Sequence, residues 1–270
     1  MTPDHAFFIG RSHTVCQDYA LSGSGEHTGT RPFAVVSDGC SSSPDTDWGA
    51  RLLCGAMRTS LLSGQSGARV GFQYAVAESP AWLRESSLDA TLMVLESKRA
   101  GVSALVYGDG VLLGRKRDGG WSAFSIEFPS GAPLYLSYGL DTGRLAQYVH
   151  YFSTTRKVVH TENGEEVASW EDDALSPDNL ILPRVQYFPA SEYDLVLACT
   201  DGVQSFIRKD DRGAFEPVPL SEIVPYLLRV KQFEGRFIQR RLSRFLGVEC
   251  AKLGWQHEDD VGVGAVYLGD

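Results

Sequence analysis

Short apolar runs that halt at an aspartate, usually beside a glycine, recur along most of this chain. Pro32 to Ser37 (PFAVVS) stops at Asp38-Gly39, and Ala104 to Tyr107 (ALVY) stops at Gly108-Asp109-Gly110. Asp194 to Thr200 (DLVLACT) stops at Asp201-Gly202, and Asp259-Asp260 opens a last run from Val261 to Leu268. Apolar runs of this length, bounded by turn residues, read as strands. Val111 to Arg117 and Trp121 to Phe128 flank Asp118-Gly119-Gly120, an ordinary hairpin turn. Strands therefore follow one another in hairpins more often than they alternate with helices. That pattern requires antiparallel sheets with helices packed outside them, an α+β layering.

Two segments carry helical periodicity. From about Asp47 to Leu62, Ala50, Leu53, Met57 and Leu61 share one face, and Ser43, Asp45 and Thr46 offer capping side chains before it. From about Ser221 to Leu246 the apolar spacing predicts one or two amphipathic helices, broken at Gly235. A further helix over Gln73 to Glu85 is limited by Pro80. Pro129 to Tyr193 is polar and turn-rich, and reads as short strands with an insertion or flap. No linker justifies a cut, so residues 1–270 are expected to form a single domain.

The net charge of −9 disfavours nucleic acid and anionic lipid as partners. No apolar stretch is long enough to span a membrane, and no basic leader precedes an apolar segment. Five cysteines (Cys16, Cys40, Cys54, Cys199 and Cys250) form no CxxC pair, which suits a reducing cytoplasm. The stripe Arg236, Arg240, Arg241 and Arg244 reads as a solvated helix face.

One Asp-Gly pair after a strand is usually only a turn. Asp38 and Asp201 differ from Asp118, because helix-like sequence follows them instead of a returning strand. Strands that stop at one end of a sheet can gather carboxylates distant in sequence, and such carboxylates stay ionised together only if cations neutralise them. An oxygen-only donor set suits magnesium or manganese. Two such ions roughly 3.5–4 Å apart activate water for in-line phosphoryl displacement. Gly39 leaves room for a backbone carbonyl to approach a metal.

Six segments in order, CQDYA (Cys16 to Ala20), VVSDGCSSSPDTDWGARL (Val35 to Leu52), DATLMVLE (Asp89 to Glu96), VYGDG (Val106 to Gly110), LACTDGV (Leu197 to Val203) and EDDVGVGAV (Glu258 to Val266), span nearly the whole chain. In that order they resemble the PPM-type, or type 2C, metal-dependent serine/threonine protein phosphatases. The resemblance implies a four-layer α-β-β-α sandwich of two antiparallel sheets flanked by helices, with metals at one end. It implies that Asp38 bridges two Mn2+ or Mg2+ ions, that the Gly39 carbonyl binds one, and that Asp201 and Asp259 hold the other. Asp109 matches a residue that helps bind a third, weaker metal. Asp18 would act through a metal-bound water or as an outer ligand, and Asp260 would orient water or phosphate. The implied partners are a phosphoprotein substrate and a cognate kinase or its targets.

The sequence also departs from the family pattern. His13 stands where the family usually has a phosphate-gripping arginine, with Arg11 two residues earlier. Either His13 contacts the phosphate or protonates the leaving alkoxide, or His13 is a solvated loop residue and Arg11 grips the phosphate. Gln17 replaces a more acidic choice, and Cys40 follows the Asp-Gly pair as a small packing residue. The competing functions are a pseudophosphatase or binding module with the same fold, and a hydrolase of a non-protein phosphate ester. His5, His27, His150 and His160 receive no role.

Overall fold

Three antiparallel sheets order the strands of the computed structural model, which describes residues 1–25, 30–64 and 67–269; His27 lies outside them. The largest sheet runs β1 (Thr2–Phe8), β15 (Val261–Tyr267), β11 (Tyr193–Cys199), β6 (Gly110–Lys116), β7 (Trp121–Glu127), β8 (Thr155–Glu162), β9 (Glu165–Asp173). The second runs β10 (Arg184–Pro189), β5 (Gly101–Tyr107), β4 (Leu92–Lys98), β3 (Thr30–Asp38), β2 (Asp18–Gly25). A small third sheet joins β13 (Phe215–Pro217), β12 (Phe206–Lys209) and β14 (Trp255–His257).

The central strands are apolar at consecutive positions because both of their faces are covered. Along β4, Leu92 and Val94 pack against α1 (Thr46–Leu62) and α2 (Ala68–Glu78), while Met93 and Leu95 point into the space between the sheets. Along β11, Val196 and Ala198 fill that same inner space. Leu195 and Leu197 face the other way, against α4 (Leu220–Leu227) and α5 (Phe237–Arg244). Helices, sheet, sheet and helices thus form the four expected layers. The sheets approach closely at Gly264, where a Cβ would sit 2.8 Å from Val36 Cγ2 and 3.0 Å from the Ala34 Cβ.

Helix boundaries differ from expectation in instructive ways. No side chain caps α1: Asp45 sits there in the left-handed region at φ 56°, without a capping hydrogen bond. Ser43 instead donates to Asp89 and Thr46 to the Cys40 carbonyl, so the expected caps serve tertiary contacts. The helix expected over Gln73 to Glu85 begins earlier, at Ala68, and ends at Glu78 because Ser79 precedes Pro80 and is extended. The last helical region splits at Gly235, φ 58°. Beyond α5 it continues through a π-turn, Phe245–Glu249, into α6 (Cys250–Leu253).

The segment 129–193 is more regular than its composition suggests. A hairpin, β8–β9, widens the largest sheet, and β10 forms the edge of the second. Between them and β7 lies α3 (Thr142–Tyr151), capped by Asp141, which accepts from the Gly143 and Arg144 amides. All five cysteines are free thiols. Among the described residues no helix is long and apolar enough to cross a membrane.

Candidate active site

Antiparallel pairing decides which strand ends meet. Asp38 ends β3 and Asp18 begins β2, directly opposite it in register. Asp201 follows the end of β11, and Asp259-Asp260 precede the start of β15, its antiparallel neighbour. Asp109 lies in the turn from β5 to β6, which passes from one sheet to the other. All of these ends lie on one rim of the sandwich. There Asp38, Gly39, Asp109, Asp201 and Asp259 line a cavity of about 720 Å³, walled opposite by Tyr135, Tyr138 and Phe152.

Two carboxylates lie deeper. Asp18 is buried and its Oδ2 accepts from Thr200 Oγ1 at 2.7 Å; that hydroxyl in turn accepts from the Gly262 amide at 2.9 Å. Asp260 is buried and takes the Gly10 and Gln17 amides, each at 2.6 Å, one on each oxygen. Asp260 thereby pins the loop between β1 and β2 to the start of β15. A buried carboxylate that satisfies two backbone amides is expensive to displace.

Backbone bonds fix the rest. The Asp38 amide donates to Thr91 Oγ1 at 2.9 Å, and the Thr91 amide donates back to the Asp38 carbonyl at 2.8 Å. Gly39 is required by packing: a Cβ there would lie 2.7 Å from the Thr46 carbonyl oxygen, at the first residue of α1. Gln17 Nε2 reaches Thr46 Oγ1 at 3.0 Å, so this amide braces the same helix end. Cys40 lines the cavity, its sulfur 3.1 Å from Ser42 Oγ.

The electrostatics are those of crowded anions. Burial pushes Asp38 well above the usual carboxylate range, and the charges of Asp18, Asp201 and Asp109 push it further. Burial likewise raises Asp18 well above that range, although Thr200 opposes the shift. Asp109 rises to about 7, through burial and then Asp201, and Asp201 rises through burial and then Asp259. The charged neighbours acting on Asp38 are further aspartates. Oxygen donors that destabilise one another in this way fit hard divalent cations, which relieve the repulsion and favour ionisation.

His13 and Arg11 stand outside the cavity lining. The His13 ring fits between Asp259 (Nε2 to Oδ1, 3.4 Å) and Asp260 (Nδ1 to Oδ2, 3.0 Å). The shorter contact lacks hydrogen-bond alignment and acts as a charge pair. Burial pulls the His13 pKa down, but Asp260, Asp259 and Asp201 together outweigh it and the net shift is upward. Arg11 is drawn away to Gln256 and Glu258, with 60% of its side chain exposed. His257, by contrast, sits on the Ile9 carbonyl at 3.1 Å.

Two features lay beyond sequence reasoning. Asp89, buried at the head of the DATLMVLE segment, accepts from Ser43 and Ser137 and, on both of its oxygens, from Arg144 Nη2. An acid directly before an apolar strand was the available signal; Arg144, 55 residues away, had none. Tyr135 is the second feature: burial first, then the charges around it, hold its phenol above its ordinary value and protonated.

The sequence matches the family model for protein phosphatase 2C over residues 9–247. A sandwich with aspartates gathered on one rim, joined to that match, places the chain in the protein phosphatase 2C family. The fold is similar to that of the serine/threonine phosphatase Stp1 from Staphylococcus aureus, at 12% identity and TM-score 0.57, over 100% of this chain and 96% of that one. It is also similar to the S. agalactiae serine/threonine phosphatase, at 12% identity and TM-score 0.55, over 99% of each chain. A third similar structure is the Mycobacterium tuberculosis serine/threonine phosphatase PstP/Ppp, at 15% identity and TM-score 0.51, over 100% of both chains. No curated protein sequence matches.

Proposed function

We propose that this chain is a divalent-metal-dependent phosphatase acting on phosphoserine and phosphothreonine esters of proteins. The observation that carries the proposal is the cavity where Asp38, Asp109, Asp201 and Asp259 converge from separate strand ends. Asp38, the Gly39 carbonyl, Asp201 and Asp259 would hold two Mn2+ or Mg2+ ions, with Asp109 available to a third. When bound, these ions supply charge neutralisation and an acidified water.

The chain's own residues do the rest. Asp18, fixed by Thr200, holds the inner wall of the acidic cluster, and Asp260 keeps the β1–β2 loop in place. Tyr135, protonated, presents a neutral donor at the cavity wall to a phosphate oxygen. His13, biased toward its cationic form, balances Asp259 and lies at the side where a leaving alkoxide could receive a proton. Tyr138 and Phe152 form an apolar flank to receive the peptide around the phosphorylated residue.

One observation favours a second reading. Among the described residues lining the cavity there is no arginine, lysine or histidine to grip a phosphate. A pseudophosphatase that keeps the fold and binds a partner would have no need of one. Hydrolysis of an aryl phosphate and a phosphothreonine peptide, with and without Mn2+, tests the two readings. Metal-dependent turnover abolished by Asp38→Asn supports the phosphatase; no turnover by folded, metal-loaded protein supports the pseudophosphatase.

A further inference from the structure

The loop between α4 and α5, α5 itself and Glu249 line a second cavity, open to solvent and of about 510 Å³, with charge opposite to that of the first. Arg229, Lys231, Arg240, Arg241 and Arg244 line it, with Glu249 as the single carboxylate. Five cations less one anion leave a local excess of four positive charges, on a chain whose net charge is −9. None of these residues borders the carboxylate cavity.

Arg241 is central. It is 7% exposed, and one guanidinium nitrogen pairs with Glu249 while its buried Nε has no partner. Arg236, Arg240 and Arg244 are exposed, as a solvated face requires, and Arg241 alone turns inward. Three of the other four cations have partners on the protein. Arg240 donates to the Glu234 carbonyl at 2.8 Å, Arg229 lies over the Tyr226 ring at 4.9 Å, and Arg244 Nε is 3.3 Å from Glu249. Like charges gathered in a concavity repel one another, and a bound anion relieves that repulsion. Guanidinium forks match phosphate oxygens in geometry as well as charge.

We infer that this cavity binds a small polyphosphate-bearing anion, a diphosphate or triphosphate. A single phosphate monoester carries about −1.5 to −2 charge, too little to balance the site, whereas a pyrophosphate or triphosphate group comes closer. The concave shape and volume suit a small ligand. The aromatic ring in the lining, Phe237, is buried and offers no face for base stacking, so recognition falls on the phosphates.

Calorimetric titration of the full chain in chelator with pyrophosphate, ATP and inorganic phosphate tests this. Pyrophosphate and ATP should bind one to one, at least ~10-fold tighter than phosphate. The exposed charge reversal Lys231→Glu/Arg244→Glu should weaken both by at least ~10-fold with a melting curve close to wild type. Arg241→Gln should weaken both without reversing a charge, at some cost in stability because Glu249 loses its buried partner. Equal affinity for pyrophosphate and ATP identifies the phosphates as the whole determinant; tighter ATP adds a nucleoside contact. Unchanged affinity in the charge-reversal variant overturns the inference, as does inorganic phosphate that binds as tightly as pyrophosphate.

Discussion

Asp18 and Asp38 stand directly opposite each other across the β2–β3 pair. Residues paired in antiparallel register bring their side chains within reach, and like charges there are destabilising. Both carboxylates are pushed above their usual range, chiefly by burial. The rim of the sandwich is therefore the part of the protein that the fold makes least comfortable and a divalent cation most relieves.

Metal-free stability should fall as pH rises. Asp18, Asp38, Asp109 and Asp201 all bind protons more tightly folded than unfolded, and Asp109 moves from 3.8 to about 7. The folded state therefore holds more protons above pH ~4, and stability drains away as pH rises through the folded-state values, about 7 for Asp109. His13, also raised, loses its stabilising charge in the same direction. Thermal melting in chelator at pH 5 and pH 8 measures this, at about 2–4 °C per kcal/mol for a chain of this size. Mn2+ should raise Tm most at the higher pH. An equal or higher metal-free Tm at pH 8 would contradict the account.

Asp38→Asn should separate stability from function. Removing one charge from the crowded rim relieves repulsion, so the metal-free variant should melt at or above wild type at about pH 7.5. Added Mn2+ should no longer raise Tm, and hydrolysis should fall at least ~100-fold. A metal-induced Tm rise equal to that of wild type would remove Asp38 from the ligand set.

Gly39→Ala should damage the same centre sterically. The new methyl would meet the backbone of Thr46 within 2.8 Å, so either α1 shifts or the 38–40 turn opens. A cost of ~1–3 kcal/mol is expected by denaturant unfolding, with weaker Mn2+ stabilisation. Gly55→Ala, on an open face of α1, is the control and should be neutral or mildly stabilising.

Arg144→Gln should loosen the segment that walls the cavity. Asp89 would keep its serine donors but lose its half-buried cation, at ~1–3 kcal/mol. Hydrogen exchange should rise across residues 132–153, which carry Tyr135 and α3. Turnover should fall through KM more than through kcat. Exchange unchanged there would show that Arg144 does not hold the segment.

His13→Ala should lower turnover by at least ~10-fold and remove one limb of the pH–rate profile if the imidazolium assists the leaving group. An unchanged profile would leave His13 as a brace for Asp259 alone.

Much of this architecture was legible in the sequence because local patterns carry it. Strand length, the Asp-Gly stops and the Asp118-Gly119 hairpin are short-range signals, and they single out Asp38, Asp109, Asp201 and Asp259 as acids at strand ends. Helix caps misled, since Ser43 and Thr46 spend their hydroxyls on tertiary partners that no local pattern reveals. The sequence by itself determined that carboxylates would stand at strand ends beside glycines. Only the tertiary structure decided that Asp260 turns inward to two backbone amides, that Arg144 reaches Asp89, and that Arg241 is buried in a cationic hollow. The physical reason is range: periodicity and turn chemistry act within a few residues, whereas burial and charge pairing depend on which distant segments the sheets bring together.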